Sequence, residues 1–402
     1  MALLDEDLLS TAQDLLPEVV ELRRTLHRHP ELGLELPRTQ AAVLDALDGL
    51  GLDVRVGEGL SSVVADLEGG RPGPTVLLRG DMDALPMPED TGLDFASEVH
   101  NTMHACGHDA HTAMLVGAAR LLAAARDDLP GRVRFMFQPG EEGDGGAVQM
   151  IEQGVLDGVD GAFALHVAPN VPSGILAWKQ GPAMASADTM VITVTGRGGH
   201  ASTPHWATDP VPVACEIVLA LQSMITRTVD AFDPAVLTIA KIRAGTTDNV
   251  IPETAVLTGT MRTVSERTRS AVQDRIRQVA DGIAAAHGCT ADVQIKLGYP
   301  VTVNDPAFAE FAAGVVDERL GLGRTFKMDA PVMGAEDFSY VLQQVPGAML
   351  FLGVCPPENP DPFNAPGCHS NRMILHEDVM ADGIAVHAAV ATAFLERGGE
   401  FR

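Results

Sequence analysis

Arg132-Val133-Arg134-Phe135-Met136-Phe137-Gln138-Pro139-Gly140-Glu141-Glu142 is a β-run stopped by a Pro-Gly turn that delivers two adjacent carboxylates. A short apolar run bounded by turn residues reads as a buried strand. The same grammar repeats on either side. Upstream, 63–67 and 75–78 are strand-like, and the second runs into Arg79-Gly80-Asp81-Met82-Asp83. Residues 112–125 form a long apolar helix, and Ala162-Phe163-Ala164-Leu165-His166-Val167 is a further strand with His166 near its end. Segments 18–28 and 39–50 read as helices, stopped by His29-Pro30 and by Gly49 and Gly51. Alternating strands and helices predict an α/β fold with a mostly parallel sheet flanked by helices. In such sheets the active site lies beyond the carboxyl ends of the strands.

Near Ala185 the pattern changes. Strand 189–195, helix 211–228, strands 236–243 and 254–261, helix 266–287 and strand 292–297 give the order βαββαβ of a small ferredoxin-like domain. The expected organisation is therefore a discontinuous catalytic domain, 1–184 and 298–402, interrupted by a lid or dimerisation domain, 185–297. Its second part begins with a helix at 306–320, passes the loop Met333-Gly334-Ala335-Glu336-Asp337 and a strand at 348–354, and closes on a helix ending near Leu395.

A chain of 402 residues, 46% apolar and 20% charged, has the composition of an ordinary globular protein of two domains. Its formal charge of −26 excludes nucleic acid and anionic membrane as partners, because both are polyanions. No stretch is expected to span a membrane, and the first eighteen residues, acidic and amphipathic, lack the basic start of a signal peptide. Five cysteines, an odd number with no regular spacing, suit a reducing cytoplasm.

Met103-His104-Ala105-Cys106-Gly107-His108-Asp109-Ala110-His111 is the densest group of metal-ligand side chains. Cys106 and His108, one residue apart at a helix start, can both reach one ion, and the helix dipole favours the thiolate. Glu141-Glu142, His166 and Cys368-His369 supply partners. Adjacent glutamates project differently, so one can bind metal while the other handles the proton of an activated water. Asp81 and Asp83 either ligate directly or orient a ligand histidine, and the second role is preferred for Asp83. Singly, each of these is more often a capping, surface or core residue. Together, a thiolate, imidazoles and carboxylates from separate segments describe a hydrolytic site able to hold two ions. Gly196-Arg197-Gly198-Gly199-His200 lacks the Lys-Ser/Thr of a phosphate loop.

At His27-Arg28-His29-Pro30-Glu31-Leu32, Arg79 to Pro86, Met103 to His111, Phe137 to Gly143, Gly199-His200-Ala201, Asn249-Val250-Ile251-Pro252 and Gly334 to Phe338 the chain resembles the metal-dependent aminoacylase and carboxypeptidase family of binuclear hydrolases. Within it the resemblance is to hippurate hydrolases, N-acyl-amino-acid amidohydrolases and auxin-conjugate hydrolases. It implies Cys106, His108, Glu142, His166 and His369 as ligands, with Cys106 bridging, and Glu141 as general base and acid. It implies that the inserted domain forms a homodimer or higher oligomer and that His200 reaches a neighbouring active site to stabilise the oxyanion. Asn249 and Arg262 are placed against the substrate carboxylate or oxyanion.

The expected function is hydrolysis of the amide of a small N-acyl amino acid by an enzyme holding two divalent ions. The mixed donor set favours zinc, with manganese, cobalt and nickel as alternatives. A dipeptidase or carboxypeptidase, and a non-catalytic metal-binding dimer, are the competing readings.

Overall fold

A computed structural model describes residues 8–321 and 323–401. Residues 1–7, part of the N-terminal stretch read as acidic and amphipathic, lie outside the described residues. The chain divides into two compact units: 8–183, 303–330 and 340–401 form the first, and 184–302 with 331–339 the second. The loop segment 331–339 thus groups with the interrupting unit.

The first unit is built on an eight-stranded sheet. Its centre is four parallel neighbours: Pro130–Gln138, Arg71–Asp81, Gly161–Pro172 and Gly347–Cys355. These strands are buried because both faces are apolar: Phe135, Phe137, Leu77, Leu78, Phe163 and Leu350 are essentially inaccessible. Val63–Glu68 joins antiparallel at one side, followed by Asp53–Val56. Leu176–Trp178 and Thr325–Lys327 close the other side. Helices Leu8–Arg28, His108–Ala124 and Met380–Glu396 pack on one another, and Gly117 permits the approach, since a Cβ there would meet Ile384 Cδ1 at 2.7 Å.

Met380–Glu396 has sixteen consecutive buried positions from Met380 to Leu395, as expected of a helix apolar on every side. The extended segment Glu377–Glu396 and helix Pro210–Thr228 reach the length and apolarity of a membrane span, which corrects the expectation that no stretch does. The first is a core helix, 94% buried. The second sets Val213, Ala214, Ile217 and Leu221 against a sheet in the second unit.

That sheet has the order Ala235–Ala244, Thr254–Thr263, Asp188–Thr195, Thr290–Leu297, with every pair antiparallel. With helices Pro210–Thr228 and Glu266–Ala286 it is the ferredoxin-like βαββαβ arrangement. Met190, Ile192 and Val194 alternate inward and meet Val272, Ile276, Ala280 and Ala284, spaced by four on the second helix. Asp209 and Ser265 cap the two helices through backbone N–H groups. A buried Arg269–Asp188 pair, 2.6 and 2.9 Å, fixes that second helix to the first strand.

Several expected boundaries move, and the helix expected from 18 is already formed at Leu8. The strand holding His166 does not end there but continues to Pro172, with His166 opposite Phe351. The helix expected from 112 begins at His108.

Candidate metal centre

All five expected ligands lie in the first unit: His166 within strand Gly161–Pro172, His108 at a helix start, and Cys106, Glu142 and His369 on loops. Donor atoms of Cys106, His108 and His166 lie within 4.8 Å of one another, and so do those of Cys106, Glu142 and His369. Cys106 belongs to both groups. A third group joins His108, Glu141 and Glu142.

Each position has a local cause. Gly107 turns the chain at φ +82°, and a Cβ there would meet Val167 Cγ2 at 2.4 Å, so only glycine lets Cys106 and His108 flank the turn. His108 then opens its helix. Its neighbour Asp109, fully buried, is held by Arg23 Nε at 2.7 Å and by His27 Nδ1 at 2.8 Å. His166 donates Nδ1–H to the Val167 carbonyl at 2.8 Å, which leaves Nε2 facing Cys106 Sγ at 3.5 Å. His369 sits at φ +67°, a region β-carbon residues rarely occupy. Its N–H donates to Ala105 O at 2.8 Å, and its Nε2 lies 3.0 Å from Glu142 Oε1. Backbone strain at such a residue marks a site that the surrounding structure holds in place.

The expected contact between Asp83 and a ligand histidine measures 3.6 Å, from His108 Nδ1, and Asp83 makes its hydrogen bonds elsewhere. Its two carboxylate oxygens accept the backbone N–H groups of Glu141 (2.9 Å) and Glu142 (3.0 Å). Asp81 serves differently. Arg79 Nη1 donates to its Oδ2 at 2.5 Å and His111 Nδ1–H to its Oδ1 at 2.6 Å, while His111 Nε2 accepts the Val167 N–H at 2.8 Å. That chain of contacts braces the strand beside His166. Burial keeps His111 neutral, with its pKa down to about 4 despite Asp81.

The donor set fits divalent cations. Both ring nitrogens of buried His108 lack a hydrogen-bond partner among the described residues, and each stands 3.6 Å from an aspartate, Nε2 from Asp81 and Nδ1 from Asp83. Burial opposes the charged ring, yet Asp81 and Asp83, with Glu142 beyond, push its pKa up to about 10. Glu142 is likewise opposed by burial and held below its ordinary range by His369 and His108. Contact with Cys368 and burial raise the Cys106 thiol, and Glu142 and Glu141 add to the effect.

Of the other expected residues, His200 and Asn249 come together in the second unit. Gly199–His200 pairs with Val250–Ile251, His200 opposite Val250, and Ala201 N–H donates to Asn249 O at 3.1 Å. Arg262 is not part of this group: it lies near the far end of strand Thr254–Thr263, roughly 25 Å along the strand from its start. His200 is exposed, and its Nδ1 accepts the Ser202 N–H at 3.1 Å, so its Nε2 carries the proton.

The sequence reading gave no role to Arg23, His27, Asp109 or His111. A charged residue inside an apolar helix start must be paired when buried, and Asp109 between His108 and Ala110 was that signal.

Residues 77–393 match the family described as peptidase family M20/M25/M40. Thermostable carboxypeptidase 1 of Saccharolobus solfataricus is 39% identical over 397 residues, 97% of this chain and 98% of its own. N-acetyl-L-cysteine deacetylase of Bacillus subtilis is 40% identical over 337 residues, covering 84% of this chain and 80% of its own. Among solved structures, the Bacillus subtilis YXEP protein, described as a dinuclear metal-binding peptidase from the M20 family, superposes with a TM-score of 0.82 at 34% identity, over 95% of this chain and 99% of its own. End-to-end likeness of sequence and fold, around a cluster whose one thiol serves two donor groups, makes this chain a member of peptidase family M20/M25/M40.

Proposed function

We propose that the protein is a metal-dependent amidohydrolase that cleaves N-acyl amino acids to a carboxylic acid and a free amino acid. The observation that carries this reading is the position of Cys106 in two donor groups at once, with Glu141 beside them. Cys106, His108, Glu142, His166 and His369 would hold two divalent ions, zinc by the chemistry of the set. When bound, such ions polarise a scissile carbonyl and lower the pKa of water to about 7.

The chain's own residues do the rest. Glu141, buried at 6% exposure, takes the proton of the attacking water and returns it to the leaving amine. Asp83 holds that glutamate's backbone and its neighbour's, so the base and the ligand keep a fixed offset. His200 serves as the oxyanion donor through its Nε2–H, in keeping with the Ser202 contact at Nδ1. Asn249, beside it, and Arg262 are assigned to the substrate carboxylate or oxyanion. The second unit, 184–302 with 331–339, is assigned to a homodimer interface, and the enzyme to the cytoplasm.

Peptide cleavage from the carboxyl end is the second reading, favoured by the likeness to the Saccharolobus solfataricus carboxypeptidase. A panel of acetyl-, benzoyl- and aminoacyl-amino acids, assayed after metal removal and stepwise readdition of zinc, manganese or cobalt, separates the two. Turnover of acyl conjugates that rises with added metal supports the proposal. Turnover of peptides alone replaces it with the second reading, and no turnover with any metal removes both.

A further inference from the structure

The five proposed ligands are not held equally firmly. His108 is buried at a helix start, and His166 lies within strand Gly161–Pro172 with its Nδ1–H on the Val167 carbonyl. His369 stands on a loop with its side chain 55% exposed, so packing does little to hold the ring. Its backbone is a second weakness. At φ +67° a residue with a β-carbon is strained, and relaxation to the extended region would swing Nε2 away from Glu142 Oε1, 3.0 Å distant. Such a conformation persists only where the surrounding chain is tied down.

The loop is tied at two points. The His369 N–H itself donates to Ala105 O at 2.8 Å. Four residues earlier, Ala365 O accepts the Asn170 Nδ2–H at 2.7 Å. Asn170 follows His166 by four residues on strand Gly161–Pro172, so the strand that carries one ligand grips the loop that carries another. The same amide sets how the loop passes. Gly367 runs so close that a Cβ on it would meet Asn170 Oδ1 at 2.8 Å.

We infer that Asn170 is a positioning residue for His369: its amide fixes the loop 365–369, and through it the ion that Cys106, Glu142 and His369 would hold. The other donor group, Cys106, His108 and His166, contains no residue of this loop. Losing the Asn170 N–H therefore weakens one ion and spares the other. Groups that orient a ligand are worth about 10- to 100-fold in metal affinity. The amide is uncharged, so it acts by geometry and not by its field. That a lost ion also ends turnover rests on the function proposed above; the link from amide to ion does not.

The test titrates cobalt(II) into metal-free parent, Asn170→Leu, His369→Ala and the double variant, following the thiolate-to-cobalt absorption and counting metal by elemental analysis. Leucine keeps the shape and neutrality of the side chain and removes the donor. The parent is expected to bind two ions. Asn170→Leu is expected to bind one as the parent does and the other about 10- to 100-fold more weakly. His369→Ala should lose that same ion, and the double variant should be no worse, because a residue acting through His369 adds nothing once the ring is gone. Asn170→Gln, with the donor on a longer arm, should recover part of the affinity. Gly367→Ala displaces the amide by another route and decides the matter if Asn170→Leu does not fold. Equal weakening of both ions, additive losses in the double variant, or parental affinity in Asn170→Leu would overturn the inference. Selective loss of one ion, with a parent that hydrolyses nothing, would leave the tether standing and remove the functional reading. Two tightly bound ions in Asn170→Leu, with an active parent, would do the reverse.

Discussion

Asp83 Oδ1 accepts the Glu141 backbone N–H at 2.9 Å, so the segment bearing the proposed proton carrier hangs from the loop after a neighbouring parallel strand. The other oxygen holds Glu142 in the same way. Asparagine keeps one acceptor oxygen and turns the other position into a donor, so one of the two backbone bonds is lost. Outer groups that orient ligands are worth about 10- to 100-fold in metal affinity or activity. Asp83→Asn is expected to lose affinity or turnover in that range, read by metal titration and steady-state kinetics. Unchanged binding and turnover would show that the two backbone contacts do not position the site.

Glu141→Gln separates chemistry from metal binding. The variant keeps the side-chain shape and loses the base, which general acid–base catalysis values at about 10²- to 10⁴-fold. Metal content by elemental analysis should match the parent while kcat falls by that factor. A metal-loaded variant with parental turnover would assign the proton transfer to another group.

For His200→Ala the expected loss is about 10²- to 10³-fold in kcat, the usual effect of one missing oxyanion donor. Metal content should stay constant, since the ligands all lie in the first unit. Parental kcat would take His200 out of the mechanism.

Glu89 links folding to pH. Burial works against its charge, but His27 at 3.2 Å, the Thr91 hydroxyl and the Ser97 N–H hold its pKa at about 2, below its ordinary 4.5. A depressed carboxylate contributes stability that is complete above the unfolded value and fades as the pH falls through the folded one. Chemical denaturation should therefore show Glu89→Gln destabilised most at neutral pH, with the difference from the parent shrinking between about pH 4.5 and pH 2. The same difference at both ends of that window would refute the linkage.

What was legible in the sequence was whatever periodicity could carry. Alternation of Met190, Ile192 and Val194, and the four-residue spacing of Val272, Ile276 and Ala280, announced the strands and helices of the βαββαβ arrangement, each within two residues of its actual ends. The Pro-Gly stop after Phe137 announced a strand end with two carboxylates beyond it. Other features gave no such signal. Residues 168–172, Ala-Pro-Asn-Val-Pro, lie beyond the expected strand, yet pairing with Gly347–Cys355 keeps them extended. Three-residue strands such as Leu176–Trp178 and Thr325–Lys327 are too short for a period to register. The Arg23–Asp109 pair joins residues 86 apart, and the Asp83 contacts reach 58 and 59 residues ahead. Such contacts exist only after folding, so the ligand types could be read where their supports could not.

Elemental analysis of the zinc-reconstituted protein, parent beside Cys106→Ser, tests the central claim most directly. The account predicts two ions per parental chain, and loss of at least one of them together with turnover when the shared thiol is removed. A single ion in the active parent, or two ions and full turnover in the variant, would contradict it.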